Sequence, residues 1–456
     1  MPLPNVDSLI TQYQEKYYGK TKRVLGSKYI LFGYDVLNKE PKRIDISKPL
    51  NSIWFGRKNS GKSTGLFSWT DGHYYRGYVC NSFHDLHGEG AERYLPNPDY
   101  FEAVNEGAKV SNVSIDEFIP DDSTLEPFGW DKNHIKYYYP EFIGSGKGKP
   151  LSLNFTSLPR EVWIDRLGYT VQNRVVRRAF EIIYDAIKAL KSQNSEFHMD
   201  KGFIDDFYSN PAKYIGSEQL NKIPLQSLTD VLSAIEMDLV EKKIIEGEYT
   251  TNLFDVFSSE DDVVFDYSKL SLLSQLRKSD ALDPRDIYVT VSICMFFEWV
   301  REMRESGDKT PYRASLDEMQ RILTGYRAQG SLKQPMALQA IGLFVTQARK
   351  FGVGFDVALQ SAITYVPKEV AQSFDLVCIS DMPMDKGDKF YLMDTFREYR
   401  HELREDGFGQ GRPFHFWVLD TVAEEVSLIV PYPNRSKKSK EKILSSLQLK
   451  SRRSAE

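Results

Sequence analysis

The stretch Ser52-Ile53-Trp54-Phe55-Gly56-Arg57-Lys58-Asn59-Ser60-Gly61-Lys62-Ser63-Thr64 decides the fold. An apolar run leads into G-x-x-x-x-G-K-S, the spacing of a phosphate-binding loop. Gly56 and Gly61 permit the backbone curl that turns successive N–H groups toward phosphate oxygens. Lys62 supplies a point charge for the β- and γ-phosphates, and Ser63 a hydroxyl for Mg²⁺. Asn59, Ser60 and Thr64 complete the loop. A helix is expected from about Gly61 through Trp69, with its positive end aimed at the same anion. Strand, loop and helix in this order predict an α/β chain that binds a nucleoside triphosphate.

The chain has 456 residues and a net charge of −5. That length accommodates roughly two to three domains. The charge excludes a generally basic nucleic-acid coat but not basic loops inside a ring. No run of about 18 apolar residues occurs, so no membrane span is expected. Met1-Pro2-Leu3-Pro4-Asn5 lacks the charged-then-apolar pattern of a secretory signal. A cytoplasmic protein is therefore expected. Cys80, Cys294 and Cys378 stand alone and read as small hydrophobes in a reducing compartment.

Outward from the loop, residues 1–50 form a polar N-terminal segment with strands at Tyr29–Tyr34 and Arg43–Ile46. Gly77–Cys80 is a second core strand, followed by the acidic turn Asp85-Leu86-His87-Gly88-Glu89. Residues 91–259 read as a loop-rich, then all-helical insertion. Its early part offers one or two edge strands around Tyr137–Tyr139, which read as packing. Val171, Val175, Ala179, Ile183, Ala186 and Leu190 then mark an amphipathic helix. Arg174, Arg177 and Arg178 lie along it as a solvated or salt-bridged face. The core resumes over 260–430. Asp262–Asp266 is an apolar strand, and Asp283-Pro284 opens a helix. Ala314-Ser315-Leu316-Asp317-Glu318 is a short strand ending in two carboxylates, at the edge where open α/β sheets bind ligands. There Asp317 suits a Mg²⁺ shell and Glu318 an attacking water. Val353–Gln360 is a near-continuous apolar strand whose last residue, Gln360, falls at the same edge. Phe414–Leu419 and Val426–Val430 read as a closing C-terminal β-hairpin. Residues 431–456 are a basic tail.

Four blocks together resemble the HerA/FtsK superfamily of ring-forming ATPases, most closely its HerA-like branch. They are Gly56–Ser63, Asp85–Glu89, Leu316–Arg321, and Ala348-Arg349-Lys350-Phe351-Gly352-Val353-Gly354 running on to Leu359-Gln360-Ser361. The resemblance implies a RecA-like P-loop NTPase core with a helical insertion. It also implies ATP and Mg²⁺ as cofactors, a homo-oligomeric hexameric ring, and movement of double-stranded DNA. By position, Lys62 and Ser63 hold phosphate and metal, Asp317 assists the metal, Glu318 activates water, and Gln360 couples the γ-phosphate to motion. Arg349 is the candidate arginine for a nucleotide, including one across a subunit boundary. Arg327 and Lys333 are candidate DNA contacts in a channel loop. Residues 1–50 read as too short for the family's N-terminal barrel, so a missing or much reduced barrel is expected, which weakens the case for a nuclease docked on it. Arg313 and Ser315 stand where the family prefers apolar residues, and Ala348 and Leu359 replace the usual Gly and Thr. Such departures fit a member from a virus, plasmid or other mobile element. Three functions stay open: a DNA translocase, a conjugation, secretion or packaging ATPase acting on nucleoprotein, and a nucleotide-gated scaffold.

Overall fold

The computed structural model describes residues 29–57, 59–75, 77–85, 93, 109–110, 113–114, 134–157, 159–167, 173–194, 197–258, 260–269, 284–319, 336–360, 366–405 and 409–431. Arg327, Lys333 and the basic tail lie outside the described residues, as do Leu86–Glu89.

The described residues build one large sheet. Its strands in chain order are β1 (Tyr29–Asp35), β2 (Glu40–Asp45), β3 (Ser52–Phe55), β4 (Val79–Asp85), β5 (Ile135–Pro140), β6 (Lys149–Leu153) and β7 (Thr250–Thr251). They continue with β8 (Asp262–Asp266), β9 (Tyr312–Leu316), β10 (Val353–Leu359), β11 (Leu376–Ser380), β12 (Phe416–Asp420) and β13 (Glu425–Pro431). In space the order is β2-β1-β13-β12-β11-β3-β10-β9-β4-β8-β5-β6-β7. From β11 through β7 all neighbours are parallel, while β12, β13, β1 and β2 continue the sheet antiparallel. The parallel block puts the carboxyl ends of β3, β9 and β10 on one edge.

Side chains alternate across the sheet as the pleat requires. Trp54, Ala358, Leu376 and Cys378 share one cluster with Leu66 and Trp69 of helix α1 (Lys62–Tyr75). Ile53, Phe55, Phe355, Val357 and Leu359 face the other way. That face is covered by α6 (Pro284–Glu305) and α7 (Met336–Ala348). Helices α2 (Arg160–Arg166), α3 (Arg174–Gln193), α4 (Lys201–Ser209) and α5 (Leu225–Ile235) extend it. Cys80 and Cys378 are buried, and none of the three cysteines is in a disulfide. On α3, Arg177 and Arg178 both bond Glu181 at 3.2 Å.

Residues 29–45 join the large sheet, because β1 pairs β13 and carries β2 with it. The early insertion is likewise part of the sheet, because β5 pairs β8 and β6 follows it. In both places an edge strand's free N–H and C=O groups are satisfied by adding another strand. That requirement is met through space and leaves no mark in local sequence. The second core strand is also longer than Gly77–Cys80; it runs through His84 to Asp85.

The polar residues Arg313 and Ser315 fall on the α1 face of β9, opposite Asp356 of β10. Arg313 and Asp356 are both fully buried, with Nε and Oδ2 3.0 Å apart. Asp356 also accepts from Ser52 Oγ at 2.6 Å, Trp69 Nε1 at 2.9 Å and Ser315 Oγ at 3.3 Å. Arg313 donates to the Leu50 carbonyl at 2.8 Å and lies over the Trp69 and Tyr78 rings. A Cβ on Gly354 would stand 2.2 Å from Arg313 Nη1, so glycine makes room for the guanidinium. The sequence departure thus has a partner, and β3, β9, β10 and α1 are tied by one charged cluster.

Candidate nucleotide-binding site

The strand register sets the site. Leu359 is level with Phe55, and Leu316 with Val357. The residues just beyond these strands therefore emerge side by side: Gly56, Asp317, Glu318 and Gln360. Gly56 N–H donates to the Leu359 carbonyl at 3.3 Å, and Met319 N–H to the Ala358 carbonyl at 3.0 Å.

The loop from Gly56 to Thr64 curls through two left-handed residues, Asn59 at φ 63° and Gly61 at φ 92°. Helix α1 begins at Lys62, so its unpaired N–H groups face the loop's interior. Lys62 Nζ donates to the Arg57 carbonyl at 2.9 Å, which folds the ammonium back over the loop. Ser60, Lys62 and Thr64 are buried, and Asn59 is exposed. Gly56 is packed closely, since a Cβ there would sit 2.5 Å from Ser380 Cβ and 2.6 Å from Ser60 Oγ. Among the described residues the Ser60 hydroxyl is buried without a hydrogen-bond partner.

The acids meet this loop. Ser63 Oγ donates to Asp317 Oδ2 at 2.8 Å, across 254 positions of sequence. Asp317 Oδ1 accepts the Glu318 N–H at 3.0 Å. Glu318 is left-handed, with φ 61°, and only 2% exposed. Its Oε1 accepts from Gln360 Nε2 at 2.7 Å. A bulky residue in that backbone region persists only when its surroundings hold it there. Here the Asp317 carboxylate on one side and the β10 carbonyl on the other do so. The arrangement suits a triphosphate with Mg²⁺. The loop amides, the helix end and Lys62 match phosphate charge. The Ser63–Asp317 pair is the hydroxyl-and-carboxylate donor set that Mg²⁺ takes alongside phosphate oxygens and water. Among the described residues no group of three or more His, Cys, Asp or Glu forms an all-protein metal site.

Arg349 lies elsewhere. It follows α7, ahead of β10, and its Nη1 bonds Asp375 Oδ1 at 2.7 Å just ahead of β11. Both residues sit at the amino ends of the strands. The seven residues of β10, about 20 Å of strand, separate Arg349 from the phosphate loop of its own chain.

Sequence reading missed one contributor. The hairpin strand β12 begins at Phe416, and Phe414 lies outside it in a left-handed turn at φ 62°. Its N–H donates to the Ser60 carbonyl at 3.3 Å. Its ring rests on Gly61, where an added Cβ would be 2.5 Å from Cδ1. The only local signal is Gly409 and Gly411 just before it; the contact itself is made through space. Gly61→Ala would meet both the positive φ and this ring. We expect it to lower stability by about 1–3 kcal/mol and to weaken nucleotide binding. Thermal unfolding and a binding titration check this, and an unchanged melting midpoint would contradict it.

No family model and no curated protein sequence matches the chain. Solved structures do. VirB4 of Thermoanaerobacter pseudethanolicus superposes with a TM-score of 0.52 at 13% identity, over 89% of this chain and 96% of that one. The bacterial conjugative coupling protein TrwBΔN70 in complex with sulphate gives 0.52 at 13% identity, over 93% and 94%. TrwB in complex with the ATP analogue ADPNP gives 0.51 at 12% identity, over 93% and 94%. This likeness establishes the fold, a RecA-like P-loop NTPase core, and agrees with the HerA/FtsK resemblance of the motifs.

Proposed function

We propose that the chain is an ATP-hydrolysing motor of the HerA/FtsK type that works as a ring and moves double-stranded DNA. The observation that carries this reading is the meeting of Ser63 with Asp317, and of Glu318 with Gln360, beside the phosphate loop. In this reading Lys62 and the loop amides bind the triphosphate. Ser63 and Asp317 hold Mg²⁺, whose charge offsets that developing on the transferred phosphoryl group. Glu318 takes the proton of the attacking water, and Gln360, bonded to it, reports whether the γ-phosphate is present. Arg349 is too far from its own loop, so in a ring it would serve a neighbouring subunit's nucleotide, as trans-acting arginines do. Arg327 and Lys333 are proposed to face DNA.

The structural neighbours favour a second reading of the cargo. One of them, TrwB, is a bacterial conjugative coupling protein. A motor acting on nucleoprotein in conjugation, secretion or packaging uses the same site. Among the described residues no helix is long and apolar enough to cross a membrane. We place the motor in the cytoplasm.

Hydrolysis measured with and without duplex DNA, together with particle symmetry by electron microscopy, tests the proposal. Stimulation by duplex DNA and a closed ring support it, and Lys62→Ala should lower turnover by about 10²-fold or more. Turnover indifferent to DNA in a closed ring would transfer support to a different cargo. Turnover that survives Lys62→Ala would refute the site itself.

A further inference from the structure

The phosphate loop has two flanks. On one, β9 and β10 deliver Asp317, Glu318 and Gln360. On the other, β11 ends at Ser380, and residues 409–415 cross beside the loop before entering β12. These residues are organised around one fully buried carboxylate, Asp381. Its Oδ1 accepts from Gly409 N–H and Trp417 Nε1, both at 2.9 Å, and its Oδ2 from Arg412 Nε at 2.5 Å. The Asp381 backbone adds two bonds, from Gly411 N–H at 2.8 Å and to the His415 carbonyl at 2.9 Å. Phe414 then pins the segment to Ser60 and Gly61. The result is a strap held rigidly against the loop, with a strained backbone at its contact point.

Arg412 is the polar group on this strap with capacity left over. Nε is spent on Asp381 and Nη2 has no hydrogen-bond partner among the described residues, while a third of the side chain is exposed, so part of the guanidinium remains open to a ligand. A guanidinium with donors left over beside a binding loop is a position that a ligand can complete.

We propose that this strap is the nucleoside-side wall of the nucleotide site and that Arg412 contacts the base. The inference rests on the reading of residues 56–64 as the triphosphate loop. The reacting phosphate belongs beside Glu318, on the β9/β10 flank. The nucleoside therefore leads away from that flank, toward the one that carries the strap. A planar guanidinium already oriented by a carboxylate offers both a stacking face and fixed donors to a nucleobase. Asp381 and Phe414 are positioning residues, acting through Arg412 and the loop.

Calorimetric titration with a non-hydrolysable ATP analogue and, separately, with inorganic tripolyphosphate tests this. Arg412→Ala should weaken the ATP analogue about tenfold and leave tripolyphosphate unchanged. Arg412→Lys keeps a cation for Asp381 and loses the planar fork. It should show the same selective loss and decides the matter if Arg412→Ala fails to fold. Lys62→Ala should weaken both ligands. If both Arg412 variants bind the ATP analogue like the parent while Lys62→Ala loses both ligands, the strap proposal is wrong and the phosphate-loop reading stands. Equal loss of the two ligands in the Arg412 variants also overturns it, since that marks a phosphate contact or a damaged loop. If Lys62→Ala leaves both ligands unaffected, the phosphate-loop reading fails and the strap proposal fails with it.

Discussion

Glu318→Gln should bind nucleotide like the parent chain and hydrolyse it about 10²- to 10⁴-fold more slowly. The substitution keeps side-chain length and the left-handed turn. It also keeps a hydrogen bond with Gln360, because two amides can pair as donor and acceptor where 2.7 Å now separates Nε2 from Oε1. What it removes is an oxygen able to take a proton. The Glu318 backbone is set by the Asp317 carboxylate and by Met319 bonding β10, neither of which involves the Glu318 side chain. A structural role would therefore survive the change, and a proton-accepting role would not. Single-turnover hydrolysis alongside an equilibrium binding titration separates the two. Hydrolysis within about threefold of the parent would remove Glu318 from the reaction and leave only its structural part.

The site's skeleton was readable because each piece is local. G-x-x-x-x-G-K-S states a turn and a charge in eight residues, and Leu316-Asp317-Glu318 ends an apolar run in two acids. A parallel sheet does the rest: strand ends that follow apolar runs share an edge, so the sequence alone puts Gln360 beside the two acids. The strap was not readable. Phe414 touches the loop from more than 300 positions away, Asp381 and Arg412 brace the segment that carries it, and nothing in Gly-Gln-Gly-Arg-Pro-Phe names its partner. The same limit explains the segments drawn into the sheet. Tyr29–Asp35 looks like a strand, but its neighbour, β13, lies near the other end of the chain. Arg349 illustrates a further limit. A motif block supplied a residue and a candidate role, and only the fold placed that residue on the far edge of the sheet, ion-paired to Asp375.

The polar pair beneath the site carries the largest expected effect on stability. Asp356→Ala should destabilise the chain by about 3–5 kcal/mol, enough to unfold a marginal domain. Burial pushes the Asp356 carboxyl pKa upward, against the pull of Arg313 and of the donors from Ser52, Trp69 and Ser315. Removing the carboxylate leaves the Arg313 guanidinium fully buried with the Leu50 carbonyl and two aromatic faces as its described partners. The desolvation of that charge is then uncompensated. It also releases Ser52 and Trp69, and with them the tie between β3, which leads into the phosphate loop, and α1, which leads out of it. The double replacement Arg313→Met with Asp356→Ala is the control, because removing both charges abolishes the unpaired one. It should recover most of the loss, as replaced buried ion pairs commonly do. Urea unfolding of the parent, the single and the double variant measures all three. A single variant within about 1 kcal/mol of the parent would mean that water or backbone groups solvate Arg313 unaided, and that the charged cluster does not hold β3 and α1 together.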